Sequence, residues 1–324
     1  MTHLESPSGT QAPDISRLNQ HVSHGDVVPA PLMAVERSLH QYMATPRGEH
    51  GQVPIAATSK GAPNPELASQ AATNVKLPWQ LLMSELIGTG LLIAVGLSAV
   101  IFDFGRGSPM IHLLASGGAR RALTGFLFGT VGALITFSPV GRLSGAHMNP
   151  AVSAAFYLEG KLSALMLAGY VTAQLAGATI GAAALLSWGS LGKSVHYGAT
   201  VPGPAGSGYA LLGETATTLC LIAGLFTILS YRSLRKFAPL LFPPLYAVMV
   251  YLEGPLSGTS TNPARSLGPA IISGDWHGFW VYLVGPAAGM IAAISMRKLP
   301  SLRKLEVEVA KVHHFDKDPY RVFH

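Results

Sequence analysis

The chain has 324 residues, 49% of them hydrophobic and only 12% charged, with 36 glycines and a formal net charge of +6. Such a composition, gathered into several nearly uncharged apolar runs, excludes a pair of ordinary soluble domains and marks a multispanning membrane protein. The basic residues are scattered without aromatic interleaving, which excludes a nucleic-acid groove, and the lone Cys220 sits inside an apolar run, which excludes a disulfide framework and a cysteine metal site.

Residues 1–76 are polar and without lasting periodicity, and read as a disordered cytoplasmic tail with a short helix near 32–43. No basic stretch followed by an apolar core opens the chain, so no signal peptide is expected. Six spans follow, at 81–101, 122–140, 162–188, 209–230, 237–252 and 278–296. The first carries one charge, Glu85, and the fourth carries one, Glu214. Five are long enough to cross a bilayer, which takes about 20 apolar residues as a helix. The fifth is short, contains Pro243-Pro244 and needs its flanks to span. Residues 299–324 are expected as a solvated cytoplasmic tail, His313, His314, Asp316 and Asp318 being solvated rather than metal ligands.

Loop charge gives the orientation. With both termini inside, Lys76, Arg142, Lys161, Arg232, Arg235, Lys236, Arg297 and Lys298 flank the inner face, against Arg106, Arg120, Arg121 and Lys193 outside.

The two halves echo each other. Each begins with a span bearing an acidic residue in its first turns, SELIGTG at 84–90 and GETATTL at 213–219, and each contains an Asn-Pro-Ala triplet before its third span. Three spans per half is an odd number, so the second half enters the membrane from the opposite side, an inverted repeat. The glycine pairs Gly125/Gly129, Gly177/Gly181 and Gly285/Gly289, each four apart, suit close helix crossings.

Asparagine at an N-cap followed by proline at the first helical position is a good helix start. The helices so begun, at 149–157 and 262–272, are too short to span, and backbone that stops at membrane depth must line a cavity or be buried in protein. In an inverted repeat their N-termini meet near the centre, each with about half a positive charge. The amides of Asn149 and Asn262 would then donate to an oxygen passing between them. Arg265 adds a permanent charge that a membrane interior tolerates only for a purpose. The expected fold is thus all-α, with six transmembrane helices and two re-entrant half-helices.

SGAHMNPAV (144–152) and SGTSTNPARSLGPA (257–270) resemble the paired signatures of the aquaporin, or major intrinsic protein, family, and the resemblance runs over about residues 79–298, including Glu85, Glu214 and Gln174. It implies one pore per subunit, a homotetramer in a plasma or bacterial inner membrane, and passive conduction without a cofactor. The pore residues it implies are Asn149, Pro150, Ala151, Asn262, Pro263 and Ala264. It also implies an outer constriction of four side chains: Arg265, Thr259, Val250 and, counting back from Asn149, either Gly129 or, with a shift of one, Phe128. Val250 stands where water-selective members carry His, and Ser266 where glycerol facilitators carry Asp. The stretch 254–270, with Tyr282-Leu283, looks most like plant nodulin-like intrinsic proteins and their bacterial relatives, a branch associated with water, glycerol and uncharged metalloid acids.

Water and small neutral solutes are therefore the expected cargo. By the same resemblance Glu85 and Glu214 hold the half-helix loops. His147 lies at the inner mouth, and Glu253, at the outer end of the fifth span, is a further loop-holding group. The competing expectation is an ion- or proton-coupled transporter that titrates Glu85 or Glu214. No nucleophile–base pair and no HExxH motif points to an enzyme.

Overall fold

Backbone inside a bilayer must satisfy its own hydrogen bonds, and all six apolar runs are helical in the computed structural model, which describes residues 78–302, 305–316 and 318–323. The expected N-terminal tail, 1–76, with its helix near 32–43, lies outside the described residues. The principal helices are α1 (Trp79–Phe104), α2 (Gly117–Phe137), α3 (Pro150–Leu158), α4 (Ala164–Ala184), α5 (Ser207–Ser230), α6 (Phe242–Ser257), α7 (Pro263–Ser273) and α8 (Val281–Arg297). No strand occurs among the described residues. α3 and α7, at 9 and 11 residues, reach only about half the thickness of a bilayer core at about 1.5 Å per residue.

Local chemistry sets the boundaries that hydropathy alone misplaces. α2 starts earlier than expected, where the Ser116 hydroxyl accepts from Ala119 N, and it stops at Ser138. Pro139 cannot continue a helix from within and instead opens a new short one, Pro139–Ser144. The short fifth span is completed by a tight 3-10 turn, Arg235–Leu241, that feeds α6, and by a run past residue 252 to Ser257. Pro243 and Pro244 fall in the first turn of α6, where a missing N–H costs nothing.

Packing follows the repeat. α1 lies on α4, α5 lies on α8, and α2 crosses α6, while both half-helices rest against α4 and α8. The three glycine pairs sit at these crossings. A Cβ at Gly177 or Gly181 would collide with the carbonyls of Leu86 or Gly90 on α1. One at Gly125 or Gly129 would strike the Tyr246 or Phe242 carbonyl at the α6 crossing, and Gly285 and Gly289 meet Glu214 and Thr215 on α5. Lipid supplies no hydrophobic drive between helices, so this backbone proximity provides the dispersion that holds them.

The bundle shows apolar side chains to the outside as well as in its core, and keeps its buried charged and polar groups in the interior. Leu134, Ile180, Leu212, Val248 and Ile291 are all more than half exposed, whereas Glu85, Gln174 and Glu214 are fully buried. An apolar exterior, with the charged groups held inside, is what a lipid solvent selects.

The C-terminal segment departs from expectation. Val307, Ala310, Lys311 and Val312 are buried, and the apolar ones join a core cluster with Leu81, Phe156, Tyr170 and Phe226. Arg232 and Arg235 both pair with Glu308 and hold its carboxyl below the usual carboxylate range. The sequence shows only a mixed polar stretch there. Its burial depends on a surface assembled from helices far away in the chain.

Replacing Gly181 with Val should prevent α4 from reaching α1, at a cost of at least about 1–3 kcal/mol. The expected result is loss of monodisperse protein on size-exclusion chromatography in detergent. Gly208→Ala is the matched control, since nothing lies within 4 Å of a Cβ there, and it should leave the elution profile unchanged.

Candidate functional site

The site is built from two loops with the same backbone. Before α3, Gly145 (φ 88°), Ala146 (φ 58°) and Met148 (φ 48°) are left-handed; before α7, Gly258 (φ 82°), Thr259 (φ 53°) and Thr261 (φ 54°) occupy the matching places. A left-handed non-glycine residue costs about 1–3 kcal/mol and persists only where its surroundings over-determine it. Two buried carboxylates do this. Glu85 accepts from the backbone N–H groups of His147 (3.0 Å) and Met148 (2.7 Å). Glu214 accepts from those of Ser260 (2.6 Å) and Thr261 (2.8 Å). Each is itself buttressed, Glu85 by Gln174 Nε2 at 2.7 Å and Glu214 by Ser257 Oγ at 2.6 Å. Tyr170 and Tyr282 repeat the symmetry, donating to the Ser144 and Ser257 carbonyls at 2.7 and 2.8 Å.

So held, the loops deliver the two Asn-Pro-Ala triplets to one point. Asn149 Oδ1 turns back to accept from Ala151 N (2.8 Å), and Asn262 Oδ1 from Ala264 N (3.0 Å) and Arg265 N (3.3 Å). Pro150 and Pro263 occupy the first helical positions. The side-chain amides then point across: Asn149 Nδ2 donates to Thr261 O and Asn262 Nδ2 to Met148 O, both at 2.9 Å. Each carbonyl belongs to the residue just before the other asparagine. An amide nitrogen carries two hydrogens, so one ties the loops together and one remains for the cavity both asparagines border.

Two cavities follow one another. The first, about 40 Å³, is bordered by Asn149, Asn262 and His147. The second, about 280 Å³, is bordered by Arg265, Val250 and Thr259, three of the four side chains expected at the outer constriction. Phe128 and Tyr246 border both. Their rings lie 5.5 Å apart, tilted by 55°, packed together where the two spaces adjoin, a junction here called the waist. Phe128, not Gly129, faces the Arg265 cavity. Gly129 lies against the Phe242 carbonyl at the α6 crossing and borders only the smaller cavity.

Tyr246 was not picked out from the sequence. It lies one helical turn before Val250, so the same-face spacing of a helix was the available signal. Its hydroxyl bonds Thr261 Oγ1 at 2.8 Å, tying the waist to the second loop.

Arg265 is buried, and its Nη1 donates to the Gly198 carbonyl at 2.8 Å. Val250 supplies an apolar wall beside it. The Thr259 hydroxyl donates to Glu253, which leaves that oxygen an acceptor and makes Glu253 a brace for the loop. His147 is buried and fully engaged: its ring stacks on Phe156, Nε2 meets the Ala310 carbonyl at 3.0 Å, and Nδ1 meets Ser153 Oγ at 3.1 Å. A carbonyl only accepts, so Nε2 carries the proton.

Residues 71–296 match the family model described as Major intrinsic protein. Among similar proteins, "Aquaporin NIP1-1" of Zea mays is 35% identical over 234 residues, covering 70% of this chain and 78% of that protein. "Nodulin-26" of Glycine max is 30% identical over 231 residues, covering 70% and 80% respectively. The X-ray structure of the aquaglyceroporin from Plasmodium falciparum has the same fold, with a TM-score of 0.57 at 22% identity over 70% of this chain and 98% of that one.

Glu85→Gln and Glu214→Gln should each leave one loop N–H facing the amide NH2 group, which cannot accept from it, costing about 1–3 kcal/mol. The midpoint of thermal unfolding in detergent should fall for both, while Glu306→Gln, at an exposed position, should not move it. Unchanged midpoints would mean the loops are held by something else.

Proposed function

The chain belongs to the major intrinsic protein family, and on that premise we propose that it forms a passive membrane channel for water and small uncharged solutes, including glycerol and metalloid hydroxides, that excludes protons and ions. The observation that carries this reading is the reciprocal pairing of Asn149 and Asn262 at the meeting of two half-helix N-termini. Each N-terminus contributes about half a positive charge, so a cation between them meets a barrier, whereas a neutral molecule does not. A water accepting from the remaining amide hydrogens directs both its own hydrogens away from the centre. Neighbouring waters are then oriented in opposite senses, and a proton has no continuous chain of donors to follow. Arg265 adds a second electrostatic barrier.

Solute choice rests on the larger cavity. Val250 contributes carbon where a histidine would contribute a donor and bulk, in the cavity that the guanidinium of Arg265 also borders. A space polar on one side and apolar on the other suits molecules that carry hydroxyls on a carbon or metalloid centre. The competing reading, coupled transport by Glu85 or Glu214, conflicts with their geometry, because both oxygens of each carboxylate already accept loop N–H groups. Protonation would release the loop rather than carry a proton through. No cofactor and no nucleic acid enters the reading.

We place both termini in the cytoplasm of a cell membrane. Arg232 and Arg235 contact the C-terminal segment, and Lys161, Arg297 and Lys298 line a cleft beside it, the basic bias of a cytoplasmic face. A homotetramer, one pore in each subunit, completes the proposal.

In proteoliposomes under osmotic gradients, the protein should raise water permeability and admit glycerol and boric acid, with no sustained proton current at an imposed pH difference. Val250→His should reduce glycerol entry about tenfold or more, the scale of removing a fit worth about 1–3 kcal/mol, while water flow persists. Exclusion of glycerol by the unmodified protein would overturn the wide-cavity reading, and a proton current would overturn the channel itself.

A further inference from the structure

The spans end with α8 at Arg297, yet the chain does not leave the bundle there. From Leu305 to Asp316 it has neither helix nor strand, and still Ala310, Lys311 and Val312 are at most 1% exposed. The stretch is fastened near both its ends. On one side Arg297 donates to the Leu305 carbonyl and Glu308 pairs with Arg232 and Arg235. On the other, His313 sits edge-on to Phe137 at 5.0 Å, and Arg142 Nε reaches His314 Nδ1 at 3.5 Å.

Between these fastenings the chain runs over the loop that carries the first triplet. Val312 N donates to Gly145 O at 3.0 Å, the Ala310 carbonyl accepts from His147 Nε2 at 3.0 Å, and Lys311 Nζ reaches the Arg142 carbonyl at 3.4 Å. At Gly145 a Cβ would come within 2.9 Å of Lys311 Cγ and 3.0 Å of Ala310 O. This glycine therefore serves twice, taking the left-handed turn and leaving room for the strap. The Val312 side chain borders the cavity that holds Asn149 and Asn262. That cavity is the small one, about 40 Å³ against about 280 Å³ beyond the waist, room for only a few waters at about 10–15 Å³ each.

We propose that residues 305–316 are a lid that closes the pore at its C-terminal mouth, with Val312 as the stopper, and that full conduction requires this segment to leave the loop at 145–149. The inference rests on the channel reading above and adds its regulation. The fastenings suit a part that moves. The segment has no hydrogen-bonded ladder of its own and buries only a few apolar side chains, Val307, Ala310 and Val312, and stretches with few buried apolar contacts are the ones that open locally. The Glu308 pairs lie at the surface, with Arg232 83%, Glu308 40% and Arg235 20% exposed, and ion pairs within reach of solvent contribute little to stability. The buried part is short.

The test compares water permeability per folded protein in proteoliposomes. The full chain is set against Val312→Gly, which removes the stopper, the double variant Arg232→Ala/Arg235→Ala, which removes one fastening, and a truncation after Leu302. Each of the folded variants should conduct several-fold faster than the parent, the truncation most. If the truncation aggregates because it uncovers Phe156 and Tyr170, the two milder changes still decide the question. Folded variants with flux equal to or below the parent's would overturn the lid. Equal flux at a channel-like rate would leave the channel reading intact, whereas no flux above bare lipid in parent and variants alike would overturn both.

Discussion

A helix that begins in mid-bilayer leaves bare N–H groups and a loop of unpaired backbone at a depth where lipid offers no partner. Here the remedy is one buried carboxylate per loop. Glu85 and Glu214 each grip two consecutive N–H groups just before an asparagine, and each arises from a helix that also packs on the third span of its own half. The left-handed residues, the Asn caps and the crossed amides all depend on that grip. A buried carboxylate without partners would be prohibitive; with two backbone donors it becomes the fixed point from which the site is aimed.

The symmetry of the halves is strongest there and fades toward the mouths. At the centre, carbonyl answers carbonyl and amide answers amide across the pseudo-axis. At the Arg265 end, a guanidinium bonded to Gly198 and an apolar Val250 shape a broad cavity. At the other end, His147 engages the Ala310 carbonyl and Val312 borders the smaller cavity. An inverted repeat thus builds one shared centre, while different residues shape its two ends.

Between the centre and the Arg265 cavity stands the pair Phe128 and Tyr246. Backbone close approach makes the pair possible, because Gly125 lets α2 press on the carbonyl of Tyr246 and Gly96 leaves space for the Phe128 ring. The bond from Tyr246 to Thr261 then links helix crossing, waist and loop. Packing and pore geometry are parts of one arrangement, since a helix displaced at the glycine crossings would carry the waist with it.

Apolar runs, two lone glutamates, two Asn-Pro-Ala triplets and glycines at a spacing of four were enough, by sequence alone, to determine an all-helical inverted repeat with two half-helices. Each of those signals is local, and a bilayer leaves the backbone few ways to satisfy itself. The tertiary structure decided what depends on distant pieces meeting. It turned Phe128 rather than Gly129 to the Arg265 cavity, because the α2–α6 crossing spends Gly129 on contact with Phe242. It engaged one hydrogen of each asparagine amide with the opposite loop, a partner whose position no local pattern encodes. It also buried Val307, Ala310 and Val312 against α1, α3, α4 and α5, because a segment without periodicity acquires its place only from the surface that receives it.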